Sequence, residues 1–219
     1  MKFTNAAAFA VLGFAFASSA ALAGAVTVDF GSAGSPTACA NNVAGTGALV
    51  ACGNGSYINQ AYGDVAGVNL SYLQGPSTAM EWWGPSYSNL YGVLWGGVTG
   101  GSNTVTLQAT SAAGVMLKDF DLSGYYYNTG WTALTVTDLA SQAVVYSYAG
   151  YLGNSVVPVD LDLSSANGFQ IQWNNDRGYN GIDNISFEVP VSTMPEPASL
   201  ALMGLALSAV ALVHRRRRG

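Results

Sequence analysis

Charge is scarce in this chain of 219 residues: only 9% of them are charged, against about 25% in an ordinary globular domain. Histidine and cysteine are almost absent, with one and two residues. Disorder is excluded, because disordered chains are poor in aromatic residues and this one has 5 Trp, 12 Tyr and 8 Phe. The composition predicts a compact domain with an uncharged polar surface, typical of proteins outside the cell.

The scarcity of basic groups excludes several classes of function. His214 is the only histidine and lies close to the C-terminus, so residues 24–194 have none. That stretch therefore has no Ser-His-Asp or Cys-His catalytic group and no histidine-ligated zinc or copper. It contains two basic and eleven acidic residues, a net charge of −9. Nucleic acid is excluded as a partner, because phosphate binding requires clustered Lys and Arg.

Residues 1–23 have the three parts of a secretory signal peptide. Lys2 supplies the positive charge, residues 6–17 form a short apolar stretch, and Ala21 and Ala23 form an A-x-A cleavage site among small residues. Cleavage after Ala25 satisfies the same rule. The sequence therefore predicts export through the secretion translocon, with a domain that begins at residue 24.

Residues 191–219 form a second targeting segment, also with three unlike parts. Pro195, Glu196 and Pro197 precede an apolar run at 198–213. The segment ends in a basic cluster of Arg215, Arg216, Arg217 and Arg218. As a helix the apolar run is about 24 Å long, which makes it a marginal anchor in a hydrocarbon core of roughly 30 Å. The arginines are expected to stay on the cytoplasmic side, which leaves the domain outside.

The order and spacing of these parts resemble the PEP-CTERM sorting domain. The resemblance implies that an exosortase, an integral-membrane transpeptidase, recognises the segment and removes the helix and the basic end. It also implies a Gram-negative bacterium that makes exopolysaccharide, with the precursor in the inner membrane and the mature protein in the envelope, at the surface or in the extracellular matrix. The two prolines prevent a regular helix or strand there, so the backbone is open to a cleaving enzyme.

Between the two targeting segments, apolar and polar residues alternate as they do on half-buried antiparallel strands. The clearest alternating runs are 65–72, 104–109, 134–138, 157–163 and 169–173. Turn-forming segments rich in Gly and Asn, including 149–154, separate such runs. The pattern predicts an all-β fold, a single antiparallel β-sandwich of about ten short strands with a jelly-roll-like arrangement, over residues 24–190.

The two cysteines, Cys39 and Cys52, enclose a glycine-containing loop. In an exported chain such a pair predicts a disulfide, and closing a loop of about 14 residues stabilises the fold by roughly 3 kcal/mol. A reactive thiol is the alternative, although no basic residue lies nearby in sequence to lower the pKa of a thiol.

Three segments place aromatic rings beside Gly, Asn and Ser, a composition that suits stacking on sugars. Side chains alternate between the faces of a strand, so consecutive rings cannot all point inward. The candidate glycan-binding residues are Trp82, Trp83, Tyr87, Tyr126 and Trp131. The expected function is an exported surface or exopolysaccharide-matrix protein that binds extracellular polysaccharide. If the rings instead cap the sandwich or pack under loops, the protein is a structural surface protein without a small ligand.

Glu81 is the one acid whose neighbours suggest catalysis, since packing on the indole rings of Trp82 and Trp83 raises the pKa of a carboxyl group. Glycoside hydrolysis requires two carboxyl groups, and the sequence pairs no second one with Glu81. The sequence thus favours a protein that is not an enzyme. A carboxylate-dependent glycoside hydrolase is the weaker alternative.

The segment 181–187 is similar to the last strand of jelly-roll carbohydrate-binding modules. In those modules an Asp at the start of this strand joins an acid near the N-terminus around a structural Ca²⁺. Asp183 and Asp29 match these positions, and carboxylates are suitable calcium ligands. The resemblance implies structural calcium, whereas a simple turn at residues 183 and 184 is the alternative. Asp160 and Asp162 alternate with leucine and predict a solvated face.

Overall fold

The computed structural model describes residues 24–31, 39–96, 101–125, 130–174, 180–190 and 204. The chain divides into two units, Leu22–Ser192 and a second formed by Met1–Ala21 with Thr193–Gly219. The predicted signal peptide, apolar run and arginine cluster lie outside the described residues, apart from Gly204. In the described part of the chain, no helix is long and apolar enough to cross a membrane.

The described residues of the unit Leu22–Ser192 form fifteen strands. Their bounds are β1 Ala25–Val28, β2 Cys39–Ala40, β3 Leu49–Val50, β4 Ser56–Ile58, β5 Val68–Gln74, β6 Thr78–Ala79, β7 Glu81–Trp83, β8 Val93–Trp95, β9 Ser102–Ala109, β10 Val115–Gly124, β11 Gly130–Asp138, β12 Val144–Leu152, β13 Val157–Ser165, β14 Gly168–Asn174 and β15 Asn180–Glu188. The sequence underestimates the number of strands, because six of them have only two or three residues and show no periodicity.

The strands form two sheets. The nine-stranded sheet has the order β13-β10-β15-β8-β7-β4-β2-β3, and β1 also pairs with β15. The six-stranded sheet has the order β12-β11-β14-β9-β5-β6. All the strand pairs are antiparallel. The prediction of an antiparallel β-sandwich is therefore confirmed.

The inward faces of both sheets share one apolar core. From the six-stranded sheet it takes Leu70, Leu107, Val136 and Ile171, among others, and from the nine-stranded sheet Leu117, Phe120, Ile185 and Phe187. All of these are at most 4% exposed. Burial of each such side chain stabilises the fold by about 1.5–3 kcal/mol. The alternation of apolar and polar residues in the sequence thus indicates which side of each strand faces the core.

One predicted turn is wrong in part. The segment 149–154 begins as strand, since β12 continues through Leu152 and pairs with β11. Ladder hydrogen bonds to β11 and the burial of Leu152 outweigh the turn preference of Gly150. This difference matters for the site, because it places Tyr151 on a regular strand.

The predicted disulfide between Cys39 and Cys52 is confirmed. The two Cα atoms are 5.3 Å apart, and the bond joins β2 to the segment that follows β3. It closes a region whose strands have only two or three residues and bury little apolar surface. Asp160 and Asp162 are exposed on β13, as the sequence predicts for a solvated face.

Candidate functional site

Trp131 on β11 and Tyr151 on β12 form an exposed aromatic pair. They are direct cross-strand partners, with ring centroids 5.2 Å apart in an edge-to-face arrangement. Trp131 is 42% exposed and Tyr151 is 67% exposed. Both point outward from the six-stranded sheet, since Thr132 and Leu152 beside them are buried. The two rings therefore contact each other and remain accessible to a ligand.

Trp83 belongs to a different, half-buried aromatic cluster. Its ring lies 5.0 Å from that of Trp95 and 6.3 Å from that of Tyr125, between centroids. Tyr125 in turn contacts Tyr87 at 5.4 Å. The neighbours leave part of the Trp83 ring exposed, but its main contacts are with other rings.

Trp82 and Tyr87 are buried, at 4% and 1% exposure. The Trp82 indole Nε1 donates a hydrogen bond to the Phe30 carbonyl oxygen at 2.8 Å, which ties β7 to the chain after β1. Buried rings offer no face to a sugar, so Trp82 and Tyr87 are not available for glycan binding in the folded protein. Tyr126 lies outside the described residues.

The outward side of the six-stranded sheet is an uncharged surface, called here the neutral face. Thr135, Gln172 and Thr104 form one row across β11, β14 and β9. A second row takes Thr137, Gln170, Thr106 and Ser71 across β11, β14, β9 and β5. All of these side chains are at least partly exposed, and each Gln amide has a hydroxyl group on both sides. The Trp131 and Tyr151 pair stands at one end of this face.

The two sheets differ sharply in charge. Among the described strands of the six-stranded sheet, Asp138 is the only charged residue, and it is the last residue of β11. The strands of the nine-stranded sheet contain eight, namely Glu81, Lys118, Asp119, Asp121, Asp160, Asp162, Asp183 and Glu188. Sequence reasoning missed the neutral face and Tyr151. The sequence does contain a sign of the neutral face, because the polar positions of β9 and β14 are Thr, Ser, Asn and Gln without Lys or Glu.

Asp183 is a buried carboxyl group on β15, at 2% exposure. Its Oδ1 accepts hydrogen bonds from the backbone N–H groups of Phe30 at 3.0 Å and Asn184 at 2.8 Å. Burial, and to a smaller extent the negative charges of Asp29 and Asp121, raise the pKa of Asp183 to about 7, against the lowering effect of the two N–H groups. The structure thus brings Asp29 and Asp183 into electrostatic contact.

Asp29 and Asp121 are the acidic neighbours of Asp183. Asp121 accepts a hydrogen bond from Asn184 Nδ2 at 2.8 Å, and Asp29 accepts one from the Gly31 N–H at 2.5 Å. Calcium takes six to eight oxygen ligands. Across the described ranges, however, no group of three or more Asp, Glu, His or Cys side chains is placed to hold a metal. The simple turn is wrong, because residues 183 and 184 lie inside β15 at an irregularity in its pairing with β10.

Glu81 is half-buried on β7. Burial raises its pKa, and a hydrogen bond from Gln74 Nε2 to Glu81 Oε1 at 3.3 Å opposes that effect. No second carboxylate is among the causes of this shift. Neither the burial of Glu81 nor its hydrogen bond with Gln74 identifies a second carboxyl group of the kind that glycoside hydrolysis requires.

Residues 195–218 match the family model of the PEP-CTERM protein-sorting motif. The match contains Pro195, Glu196, Pro197 and the four arginines, so the PEP-CTERM motif recognised in the sequence is confirmed, and it supports an exported protein that an exosortase sorts. None of the curated proteins matches the sequence.

Several solved structures are similar to this chain at low identity. A β-(1,4)-mannanase of Podospora anserina with a family 35 carbohydrate-binding module is 18% identical, with a TM-score of 0.33, over 59% of this chain and 29% of that one. The family 11 carbohydrate-binding module of a Clostridium thermocellum cellulase is 12% identical, with a TM-score of 0.31, over 64% and 96%. A substituted family 29 carbohydrate-binding module is 13% identical, with a TM-score of 0.29, over 59% and 98%. All three TM-scores are below 0.5.

Proposed function

We propose that this exported, exosortase-sorted protein binds extracellular polysaccharide through its β-sandwich and has no catalytic activity. The sorting motif supports delivery to the cell envelope. From there the mature protein acts at the surface or in the polysaccharide matrix of a Gram-negative bacterium. Before processing, the apolar run and arginines hold the precursor in the inner membrane.

The single observation that carries glycan binding is the exposed pair of Trp131 and Tyr151. Large aromatic side chains bury 150–250 Å² when they are covered, so a ligand that covers exposed rings gains a large apolar contact. Here two rings are fixed beside each other on neighbouring strands and stay accessible. Sugar rings present apolar C–H faces that stack on such side chains, while their hydroxyl groups bond to neighbouring amides.

The second candidate is a structural surface protein without a small ligand. Its support is the burial of Trp82 and Trp173, which fill the sandwich and contribute no surface. This candidate does not explain why Trp131 and Tyr151 form an exposed pair. A glycoside hydrolase has less support, because Glu81 lacks a partner carboxylate among the causes of its raised pKa.

Affinity electrophoresis in gels containing polysaccharide from the producing cells tests glycan binding. We expect retardation of the wild-type protein, which Trp131→Ala and Tyr151→Ala each reduce at least tenfold in apparent affinity. Tyr91→Ala is the matched control, since Tyr91 is 41% exposed but lies in the segment between β7 and β8. Retardation that none of the three changes affects would contradict this assignment. No retardation of the wild-type protein would favour the structural candidate.

Sorting is tested by mass spectrometry of the mature protein. The double variant Pro195→Ala with Glu196→Ala is expected to keep its apolar run and arginines and to accumulate in membranes. The wild-type protein should lose them. Normal removal of the tail from the variant would show that Pro195 and Glu196 do not direct processing.

A further inference from the structure

We infer that the neutral face is the binding surface for a neutral, hydroxyl-rich glycan chain, and that anionic polysaccharides are excluded. This inference rests on the proposed glycan binding and adds to it the class of ligand and the surface. Trp131 and Tyr151 then mark one end of a longer site across β11, β14, β9 and β5.

The absence of charge from this face is the first argument. An exposed surface of a soluble domain typically carries about 25–35% Lys, Arg, Glu and Asp. Between Trp131 and the last residue of β11, the outward positions of five neighbouring strands carry none. Covering a charged side chain with a neutral ligand costs free energy, because the charge loses water without gaining a partner. A face without charges avoids that cost.

The second argument is the hydrogen-bonding capacity of the two rows. Gln172 stands between Thr135 and Thr104, and Gln170 stands between Thr137 and Thr106. An amide group offers donors and an acceptor, and a hydroxyl group offers both. Successive groups in a row are about 4.8 Å apart, the distance between neighbouring strands. The rows can therefore donate to and accept from the hydroxyl groups of a chain that lies across the strands.

The same rows argue against a protein partner and against an anion. The core of a protein interface is enriched in aromatic residues, Met and Arg, whereas the middle of this face is Thr, Gln and Ser. An anionic polysaccharide would meet no Lys or Arg on these strands. It would also approach a domain whose stretch 24–194 has two basic and eleven acidic residues. Repulsion from the whole domain and the lack of a cationic partner both oppose it.

The test compares neutral probes, galactomannan and mixed-linkage β-glucan, with anionic probes, alginate and polygalacturonate, in native affinity electrophoresis of the full chain and its mature form. We expect retardation by a neutral probe and none by the anionic probes. Gln172→Glu keeps the size of the side chain and places one carboxylate in the middle of the face, where the Ser102 hydroxyl must donate the hydrogen bond that it accepts from Gln172 Nε2 in the wild-type protein. This variant is expected to weaken binding at least tenfold. Asn41→Asp adds the same charge at an exposed position beside β2, in the other sheet, and should bind like the wild-type protein.

Thr104→Val separates hydrogen bonding from charge repulsion, because it removes a hydroxyl group and keeps the size of the side chain. It should weaken binding severalfold, whereas Thr27→Val on β1 should not. Unchanged unfolding temperatures confirm that the variants fold. Two results would overturn the neutral face as the binding surface and leave the proposed function standing. One is retardation by an anionic probe. The other is wild-type binding by both Gln172→Glu and Thr104→Val while Trp131→Ala does not bind. No retardation of the wild-type protein by any probe or by the producer's polysaccharide would overturn both.

Discussion

The carboxyl group of Asp183 accepts a hydrogen bond from the backbone N–H of Phe30 at 3.0 Å, across 153 residues of sequence. The contact fastens β15, in the middle of the nine-stranded sheet, to the segment that follows β1. Both residues are almost fully buried. An ionisable group at this position makes the stability of the sandwich depend on pH.

Stability is expected to fall as the pH rises. Burial raises the pKa of Asp183 in the folded protein from 3.8 to about 7. Between these two values the folded state holds a proton that the unfolded state has released, so a rise in pH destabilises the fold. We expect this group to reduce the free energy of unfolding by roughly 2–4 kcal/mol across that window. Asp183→Asn should flatten the dependence of the free energy of unfolding on pH, measured by urea unfolding. The exposed control Asp160→Asn should leave that dependence unchanged. A steep slope in Asp183→Asn would contradict the assignment.

Calcium, if it binds between Asp29 and Asp183, should act most strongly above neutral pH. The cation favours the ionised carboxylates, so millimolar Ca²⁺ at pH 8 is expected to raise the unfolding temperature and EDTA to lower it. Asp29→Asn should remove the response. An unfolding temperature that neither Ca²⁺ nor EDTA changes would exclude the calcium site.

Trp82 is expected to matter for stability. Trp82→Phe keeps a buried ring but removes the N–H that bonds to the Phe30 carbonyl oxygen, and Phe is smaller. Loss of a buried hydrogen bond together with lost packing should cost about 2–4 kcal/mol in chemical unfolding. Trp131→Ala, at an exposed ring, should cost far less. Equal losses in both variants would contradict the burial described for Trp82.

Gly168, the first residue of β14, is expected to tolerate no side chain. Its φ is +106°, and an added Cβ would lie 1.8 Å from the Leu107 carbonyl oxygen, a backbone atom of β9. Gly168→Ala should therefore destabilise the fold by at least about 2 kcal/mol. Gly153→Ala is the control, because no atom lies within 4 Å of its added Cβ. Thermal unfolding of the two variants provides the comparison.

The disulfide is expected to stabilise the fold measurably. Cys39 and Cys52 are 13 residues apart in sequence, and in the chain-entropy model such a bond contributes about 3 kcal/mol. The double variant Cys39→Ser with Cys52→Ser should lose this amount in urea unfolding and keep its β-sheet circular dichroism. A reducing agent should lower the stability of the wild-type protein only.

Many of these features follow from the sequence because they are local. Alternation with a period of two identifies β5, β9, β11, β13 and β14, since each strand's own residues decide which side is apolar. The sorting segment is recognised from three adjacent parts of the chain. The two cysteines are close together in the sequence. The lack of histidine and of basic residues between the targeting segments follows directly from the composition.

Only the tertiary structure decides which aromatic residues are accessible. Both Trp82 and Trp131 lie on strands, but Trp82 faces the interior and Trp131 stands opposite Tyr151 on the outside. The neutral face likewise exists only where β5, β9, β14 and β11 lie side by side, although they are far apart and out of order in the chain. The physical reason is that strand register and burial depend on hydrogen bonds and packing between distant segments, which a local pattern does not encode.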